Sequence, residues 1–275
     1  MQPKPTPDLT HVLPVAFTGA PGAYSEEAAR RLFGRQAPTL ACEKALSAVD
    51  TVLAGRAGRA VVPVENTVTG TFEGVASALV HGGTNIVGEI NLAIRHCLLA
   101  VPGSKLANLS EVISHPSALA HCRDWLARWG VVTRTSSDTA RAARELVESG
   151  DTHCGVLGSR VLAELYGLDI LADGLSDKAR NETRFWVLAA EPDLDAGAHR
   201  TAVLVGPVTL PRVLKSLRMQ LEARGTTRTR APLLRCSDGQ HFVLEFDHPA
   251  GCGAAIAAEA CEGVPHRLLG SWSTR

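Results

Sequence analysis

The sequence predicts an α/β protein that continues into a smaller module of ferredoxin-like order. Short apolar runs alternate with stretches of helical apolar spacing through most of the 275 residues, which is typical of α/β architectures with largely parallel sheets. A polar break at residues 191–197, EPDLDAG, is followed by a strand, a helix, two strands, a helix and a strand. We therefore expect two domains, residues 13–190 and residues 199–275.

The first domain is predicted to begin with a strand, a glycine-rich turn and a helix. The apolar run at residues 14–17 ends in GAPGAYS, and the helix that follows is stopped by Gly34. Helical spacing returns at residues 45–53, and the apolar run 59–64 is a predicted strand that leads into the polar turn ENTVTGTFEG. The later elements expected here are a helix at 75–80, strands at 85–90, 93–101 and 112–113, one helix from Pro116 with Leu119, Cys122, Leu126 and Trp129 at helical spacing, a helix at 138–147, a strand at 154–157 and a helix at 161–166.

The second domain is predicted to follow the order βαββαβ of a ferredoxin-like module. Its two helices are expected at residues 213–223 and 254–261, and its first and last strands at 201–205 and 267–272. The two central strands are expected on either side of the turn SDG at residues 237–239.

The composition is that of a globular protein without a polyanionic partner. Lysine and arginine number 28 and are balanced by 28 aspartates and glutamates, so binding to nucleic acid or to a membrane surface is not expected. No apolar run is long enough to cross a membrane, and the amino-terminal residues lack the core of a signal peptide. These features predict a cytoplasmic protein.

Seven cysteines are scattered along the chain without the spacing of a metal site. Because they form no CxxC pair and no Cys/His ligand pattern, we interpret them as reduced, mostly buried thiols of a cytosolic protein. Neither a metal nor a cofactor is expected. The cysteines are Cys42, Cys97, Cys122, Cys154, Cys236, Cys252 and Cys261.

The turn GAPGAYS, residues 19–25, is the first candidate site. Its glycines let backbone amides approach an anion at the start of a helix. The alternative is a tight strand-to-helix turn in which Ser25 caps the helix, with Glu26 and Glu27 near the positive helix end. The pattern is not GxGxxG, so a dinucleotide site is not expected.

A second candidate site follows the predicted strand at residues 59–64. Glu65, Asn66 and Thr67 offer a carboxylate, an amide and a hydroxyl at the carboxyl end of this strand, where ligands of open α/β sheets bind. A solvated turn would use similar residues, so both interpretations stay open here.

The segment ISHPSALAHC is the third candidate site. Ser114 and His115 precede a helix whose first turn holds Pro116, so unpaired backbone amides and a positive dipole end lie nearby. Ser117 and His121 are one turn apart on that helix. The alternative is an ordinary capped helix with His121 on a wet surface.

The segment NETRFWVL, residues 181–188, joins a polar tetrapeptide to an apolar run that predicts a buried strand. Thr183 places a hydroxyl, and Arg184 a guanidinium, at the mouth of this strand. The pair is either chance polarity at a strand edge or the acid and the anion clamp of a site.

Together these segments resemble the prephenate dehydratase family, in the family's order and spacing. The motifs are GAPGAYSEEAA, VVPVENTVTGTFEG, VISHPSALAHC, DTARAARELV, LAELYGLDIL and NETRFWVL, and they cover residues 14–188. The resemblance implies two α/β subdomains around a cleft, like a periplasmic binding protein, with hinges near residues 89–98 and 175–184. The second domain, which ends in LLGSWS, is similar to the family's ACT regulatory domain.

The resemblance implies that prephenate loses its ring hydroxyl as water and its ring carboxylate as carbon dioxide to give phenylpyruvate, in phenylalanine biosynthesis. Thr183 matches the family's essential threonine and would donate to the leaving hydroxyl, while Arg184 would grip a carboxylate. Glu65 would orient these groups, and Asn66 would complete the cradle. The expected substrate-binding residues are Ala23, Tyr24, Ser25, Thr67, Ser114, His115, Ser117, His121, Asn181 and Phe185.

Two positions depart from the family, which has glutamine where this chain has Ser117 and His121. One explanation is drift, with a water molecule filling the gap left by serine. Others are a preference for arogenate, a relative that decarboxylates prephenate without forming the aromatic ring, or a binding protein without activity. Retention of Thr183 weighs against the decarboxylating relative and against an inactive binding protein, and prephenate dehydratase is the first expectation, with arogenate dehydratase as an alternative.

The ACT-like domain departs further from its family. The places of a PGAL-like turn and an ESRP segment read PRVL at residues 211–214 and TRAP at 229–232. Arg212 puts a bulky charge where a glycine lets the backbone approach a small ligand. We therefore expect weak or absent binding of phenylalanine, while a role in forming a homodimer or homotetramer is retained.

Overall fold

The protein is described by a computed structural model over residues 13–72, 74–177, 180–193, 195, 197–208, 212–229 and 234–274. The predicted fold class, two α/β subdomains followed by a ferredoxin-like module, is confirmed, and the first central strand of the module is present as two short segments, residues 228–229 and 234–235, that both pair with the next strand. The first subdomain comprises β1 (Val15–Thr18), α1 (Tyr24–Phe33), β2 (Thr39–Cys42), α2 (Ala45–Leu53), β3 (Arg59–Asn66), β4 (Gly70–Thr71), α3 (Val75–Val80) and β5 (Asn85–Ala93).

The second subdomain has its own sheet, and the chain then returns to the first sheet before it enters the module. The second subdomain comprises β6 (Cys97–Ala100), a 3-10 turn (Leu106–Asn108), β7 (Glu111–Ser114), α4 (Pro116–His121), α5 (Arg123–Trp129), β8 (Val132–Thr135), α6 (Thr139–Ser149), β9 (Cys154–Gly158), α7 (Arg160–Tyr166) and β10 (Asp169–Ala172). The returning strand and the module are β11 (Glu182–Ala189), β12 (Arg200–Val205), α8 (Arg212–Ala223), β13 (Arg228–Thr229), β14 (Leu234–Arg235), β15 (Phe242–Asp247), α9 (Gly253–Ala260) and β16 (His266–Trp272).

The strands of the described residues form three sheets. The first has the order β2-β1-β3-β11-β5 with β4 beside β3, the second β10-β6-β9-β7-β8, and the third β13-β15-β12-β16 with β14 beside β15. The chain leaves the first sheet after β5 and comes back to it as β11, so two connections join the subdomains. The expected hinges at 89–98 and 175–184 overlap these connections.

The expectation of largely parallel sheets is wrong, because the two α/β sheets are mixed. Strand β1 runs parallel to β2 and β3, but β11 is antiparallel to both β3 and β5. In the second sheet β7 is parallel to β8 and β9, whereas β6 is antiparallel to β9 and β10. The physical reason is the route of the chain: a strand that departs across the cleft and a strand that returns run in opposite directions.

Two elements that the sequence predicts as continuous are each divided into two in the structure. The expected strand 93–101 is interrupted, because β5 ends at Ala93 in the first sheet and β6 begins at Cys97 in the second. The single helix expected from Pro116 breaks at Cys122, whose φ of −118° and ψ of 19° end α4 and start α5. Apolar spacing continues through both breaks, so periodicity could not reveal them.

The first sheet and the carboxy-terminal module share one hydrophobic core. Trp186 and Val62 of the first sheet belong to the same buried cluster as Leu204 and Trp272 of the third sheet. The opposite face of the first sheet packs against α1 through a separate cluster that includes Phe185. The module is therefore packed on the back of the first sheet, on the side away from α1. None of the helices that the structure describes is both long and apolar enough to cross a membrane.

Candidate active site

A cavity of about 480 Å³ lies in the cleft between the two subdomains. On one side it is bordered by the turn before α1, the end of β3 and the start of β11. The other side is formed by the beginnings of α4 and α6 in the second subdomain. The sequence-predicted residues on its wall are Ala23, Tyr24, Ser25, Asn66, His115, Ser117, His121, Thr183 and Phe185.

Strand pairing brings Thr183 opposite Asn66, although the two residues are 117 positions apart in the sequence. Thr183 of β11 is the register partner of Asn66 of β3, and a bulge then pairs Phe185 with Pro63 instead of Val64. A bulge places an extra residue in one strand and re-aims its side chains. Pro63 and Asn66 consequently both reach the cavity, which simple alternation along β3 would not allow.

The orientation of the Asn66 amide is set by the backbone of the turn that follows it. Its Oδ1 accepts hydrogen bonds from the backbone amides of Val68 at 2.8 Å and Thr69 at 3.1 Å. Its Nδ2 therefore faces the other way and donates to Asn181 Oδ1 at 2.7 Å and to Thr183 Oγ1 at 3.0 Å.

The Thr183 hydroxyl is thus an acceptor from the protein and keeps its own proton for a ligand. Within the described residues no acceptor lies in hydrogen-bond reach of that proton. The side chain itself is buried, with 4% of its surface exposed. A buried hydroxyl fixed in this way can donate to a group bound in the cleft.

The hydrogen-bond chain continues from Asn181 through two histidines to α1. Asn181 Nδ2 lies 2.9 Å from His121 Nδ1, which must accept because the Asn181 oxygen is already directed at Asn66. The proton of a neutral His121 then sits on Nε2. His96 Nε2 is 3.1 Å from His121 Nδ1, and His96 Nδ1 is 3.3 Å from the Tyr24 hydroxyl.

Both histidines of this series of hydrogen bonds, His96 and His121, are held neutral. Burial lowers the pKa of His96 to about 3, and the neighbouring His121 acts in the same direction. Burial also lowers the pKa of His121 to about 4, with His115 acting in the same sense. His121 is 5% exposed and stacks on His96, so it does not lie on a wet surface.

A hydrogen bond to Glu26 holds the turn GAPGAYS against the first turn of α1, and the first backbone amides of α1 lie beside the cavity. Glu26 Oε2 accepts from the backbone amide of Gly22 at 2.6 Å. The helix begins at Tyr24 after Ala23, and Ser25 stands inside the first turn instead of capping the helix. The amides of Tyr24 and Ser25 have no carbonyl behind them in the helix, as is general for a first turn, so they are available to an anion.

Arg184 does not lie in the cleft, which corrects its predicted role as the carboxylate clamp. Successive side chains of a strand point to opposite faces, so Thr183 and Arg184 cannot share a site. The guanidinium is buried behind the sheet and donates to Glu245 at 2.7 and 2.8 Å, to Glu65 at 3.0 Å and to Glu89 at 3.2 Å. Burial by itself would lower the pKa of Arg184, but these carboxylates raise it above its usual value.

Three other candidates also lie off the cavity wall. Glu65 faces backwards with Arg184, because it alternates with Asn66 along β3. Ser114 is fully buried and donates to the carbonyl of Leu157 at 2.7 Å, so its hydroxyl holds two strands of the second sheet together. Thr67 Oγ1 accepts from the backbone amide of Glu182 at 3.0 Å.

Asn181 takes an intermediate place. It does not border the cavity itself, but it lies behind the wall and links Asn66 to His121. Its contribution is therefore to orient two wall residues.

Sequence reasoning missed His96 and the two arginines of the cavity. Arg141 and Arg144 border the cavity from α6, one turn apart, on the subdomain opposite Thr183. Each is exposed and paired with a glutamate four residues later, Glu145 or Glu148. The segment DTARAARELV contained the signal, since i,i+3 spacing puts both arginines on one helix face.

The expectations about metal binding and about phenylalanine binding concern different parts of the chain. Among the described residues no group of three or more histidine, cysteine, aspartate or glutamate side chains is placed to hold a metal ion. The expected loss of phenylalanine binding depends on residues 211, 230–232 and the side chain of Arg212, and these lie outside the described part.

Comparison with known proteins gives a consistent family signal. The family model for prephenate dehydratase matches residues 15–193. The chain is 40% identical over 178 residues, which are 65% of this chain and 45% of that protein, to arogenate dehydratase/prephenate dehydratase 1, chloroplastic, of Arabidopsis thaliana. It is also 40% identical over 180 residues, 66% of this chain and 45% of that protein, to arogenate dehydratase 2 of Petunia hybrida. The chain thus spans about half the length of the curated relatives it matches.

Solved structures resemble nearly the whole chain. A prephenate dehydratase from Arthrobacter aurescens in complex with L-Phe superposes with a TM-score of 0.82 and 27% identity, covering 95% of this chain and 90% of that one. GqqA, described as a novel type of quorum quenching acylase, gives a TM-score of 0.80 and 28% identity over 95% of this chain and 98% of that one.

Proposed function

The chain belongs to the prephenate dehydratase family, and from this premise we propose that it converts prephenate to phenylpyruvate, water and carbon dioxide. In this reaction the bond between the ring and its carboxylate breaks, and its electron pair enters the ring. The ring hydroxyl leaves with one proton as water. The substrate dianion and one proton thereby become the phenylpyruvate anion, and no oxidant or reductant is consumed.

The single observation that carries the proposal is the hydrogen bond from Asn66 Nδ2 to Thr183 Oγ1, at 3.0 Å. It leaves the Thr183 proton directed away from the protein, so that the hydroxyl can donate to the leaving group in the cleft. A threonine is a weak acid, and it acts here as a fixed donor within a hydrogen-bonded chain. Formation of the aromatic ring supplies the driving force.

The remaining wall supports binding of a dianion. The amides of Tyr24 and Ser25 offer donors on the first subdomain, and Arg141 and Arg144 offer charge on the second. Groups from both subdomains would hold the two carboxylates and orient the ring against Thr183. The neutral His121, with its proton on Nε2, adds an uncharged donor.

The direct test is to incubate the purified chain with prephenate and to follow phenylpyruvate. We expect Thr183→Val, which keeps the shape and removes the hydroxyl, to lower kcat by about 10²–10⁴-fold. Thr183→Ser keeps the hydroxyl and serves as the matched control, with most of the activity retained. Full activity of Thr183→Val would exclude the assigned donor, and a non-aromatic product from the unmodified chain would favour decarboxylation alone.

Arogenate is the second candidate substrate, because the similar plant proteins are named arogenate dehydratases. Arogenate carries an ammonium where prephenate has a keto group. The acidic residues on the cavity wall, Glu43 and Asp138, offer partners for such a cation, while Arg141 and Arg144 disfavour it. Parallel assays with the two substrates decide between them by the ratio of kcat/KM. If neither is consumed, the protein is a binding protein or acts on another substrate.

The proposal extends to the setting of the enzyme. We place it in phenylalanine biosynthesis in the cytoplasm, acting as a homodimer or homotetramer without a cofactor, with the βαββαβ module in the position of an ACT domain. Binding of phenylalanine to this module is proposed to be weak. Light scattering of the purified protein and a calorimetric titration with phenylalanine test these two statements.

A further inference from the structure

One buried ionic cluster connects the carboxy-terminal module to the strand that carries Thr183. Arg184, next to Thr183 on β11, is held in a fork by both carboxylate oxygens of Glu245 on β15, at 2.7 and 2.8 Å. A second pair crosses the interface with the charges exchanged: the arginine, Arg200 of β12, comes from the module, and the carboxylate, Glu89 of β5, comes from the first sheet. Each side of the interface therefore contributes an arginine and a carboxylate, and all four side chains are buried.

The cluster lies directly behind the proposed donor. In the register of β3 and β11, Thr183 faces Asn66 on the cleft side, and Arg184 faces Glu65 on the back. Thr183 and Arg184 share a planar peptide unit, so a displacement of one backbone is transmitted to the other. The geometry of the pair of Thr183 and Asn66 on the cleft side, the front pair, therefore depends on the geometry of the pair of Arg184 and Glu65 on the back.

The interface beside the cluster is closely packed. Gly270 of β16 has a φ of +149°, and a Cβ atom added there would lie 2.0 Å from the carbonyl oxygen of Ile86 in β5. Arg267 also donates to the carbonyl of Thr84 at 3.1 Å. Close-packed contacts of this kind transmit strain instead of absorbing it.

We propose that Glu245 of the module is a positioning residue for the reaction: it fixes Arg184, and through Arg184 it keeps the Thr183 hydroxyl in register with Asn66. The module is then a structural part of the active site even without any bound effector. The inference rests on the proposed function, because it assigns Thr183 the role of donor. A misplacement of about 1 Å is enough to cost about 10²-fold in rate.

Kinetics of Glu245→Gln in the full chain test the inference. This substitution keeps the shape and removes the charge that holds Arg184. We expect kcat to fall by about 10–100-fold, while KM stays within about threefold because no group of the cavity wall is changed. Glu245→Asp, which keeps the charge, should recover part of the loss and serves as a second variant if the first folds poorly. Glu259→Gln is the matched control, since Glu259 belongs to the same module and pairs with Arg224 at the exposed surface.

A magnetic resonance measurement separates this inference from the proposed function. The Arg184 guanidinium lies 5.5 Å from the ring of Trp186, so the indole resonance of Trp186 reports whether the fork is disturbed. The methyl resonance of Thr183 reports whether the front pair moves. We expect Glu245→Gln to shift both signals and Glu259→Gln to shift neither.

The outcomes are distinct. An unmodified chain that is inactive on prephenate refutes the proposed function, whereas the Thr183 methyl shift still decides whether the module positions that residue. An indole shift without a methyl shift, or a kcat of Glu245→Gln equal to that of Glu259→Gln, overturns the inference. A loss that appears only in KM would assign Glu245 to substrate affinity and would also overturn it.

Discussion

The two faces of the strand pair β3 and β11 differ sharply in chemistry although they alternate residue by residue. On the front face Asn66 and Thr183 meet neutral groups from neighbouring segments, namely the amide of Asn181 and the imidazoles of His121 and His96. The back face carries a buried ionic cluster, in which the side chains are Glu65, Arg184, Glu89, Glu245, Arg200 and Asp247. The difference shows that adjacent polar residues of one strand divide between two environments, Thr183 facing the cleft and Arg184 facing the module.

The charges lie at the back, where fixed partners surround them. A permanent charge buried in the protein needs several fixed partners; for Arg184 the first sheet supplies Glu65 and Glu89, and the module supplies Glu245. A cleft that binds a dianion and releases a product, as the proposed function requires, would benefit from groups that can exchange protein partners for substrate without leaving a charge unpaired. Neutral donors with a fixed direction satisfy that requirement on the front face.

The largest effect on activity is expected from a substitution on the front face that reverses the hydrogen bond between Asn66 and Thr183. Asn66→Asp keeps the bonds from Val68 and Thr69 but replaces the Nδ2 donor by an acceptor. The carboxylate would then accept the Thr183 proton that the proposed function assigns to the substrate, so kcat should fall by about 10²–10³-fold in the prephenate assay.

The control for this change is Asn85→Asp, because Asn85 lies in the same sheet and donates to the carbonyl of Ala190 away from the cleft. Its activity should match that of the unmodified chain. If Asn66→Asp behaves like the control, the orientation of the front pair has no catalytic role.

The next effect concerns stability and tests the back face. Arg184→Met should lower the free energy of unfolding by about 3–5 kcal/mol, because it leaves the buried Glu245 without its arginine and leaves Glu89 with Arg200 alone. Arg134→Met is the matched control: Arg134 also forms a fork with a glutamate, Glu111, but at the surface, where a pair contributes about 0–1 kcal/mol. Urea unfolding monitored by circular dichroism compares the two, and equal costs would contradict the assignment of a buried cluster.

The smallest effect is a pH dependence that originates in the front face. His121 has a folded-state pKa of about 4, below its usual value near 6.5, so the unfolded chain binds the proton first as the pH falls. Stability should therefore be constant above about pH 6.5 and should decline between about pH 6.5 and 4, with His121 accounting for about 1–3 kcal/mol.

His121→Gln should remove its share of that decline, while His153→Gln, at an exposed histidine beside Asp151, should leave the decline unchanged. Thermal unfolding at a series of pH values measures both. A decline that is the same in both variants would show that His121 is not held neutral by burial.

The order of the elements was largely predictable from the sequence, and the failures have a common cause. Apolar periodicity located most helices and strands, but the short strands β2, β8 and β10 were not recognised, and it continued through Cys122 where the helix breaks. It also ran from Ala93 to Val101 across two different sheets. Periodicity reports which side of a segment is buried; it does not report which partner buries it.

The candidate site shows the same limit. The motifs around Ser25, Asn66, His121 and Thr183 were found because their residue types and order match a family, and all four border one cavity. Arg184 was assigned to the same site because it is adjacent in sequence, whereas strand alternation sends it to the opposite face. His96 was overlooked, since its importance arises from its contact with His121.

The sequence by itself determined the fold class, the family and several residues of the cavity wall, among them Ser25, Asn66, His121 and Thr183, because these follow from local composition, periodicity and motif order. Only the tertiary structure decided which side chains form hydrogen bonds with each other. Glu245 holds Arg184 across 61 positions, and Asn66 holds Thr183 across 117. The bulge in β3 and the packing of the module behind β11 bring these groups into contact. Such contacts are made between segments far apart in the chain, and no local pattern encodes the direction in which each side chain finally points.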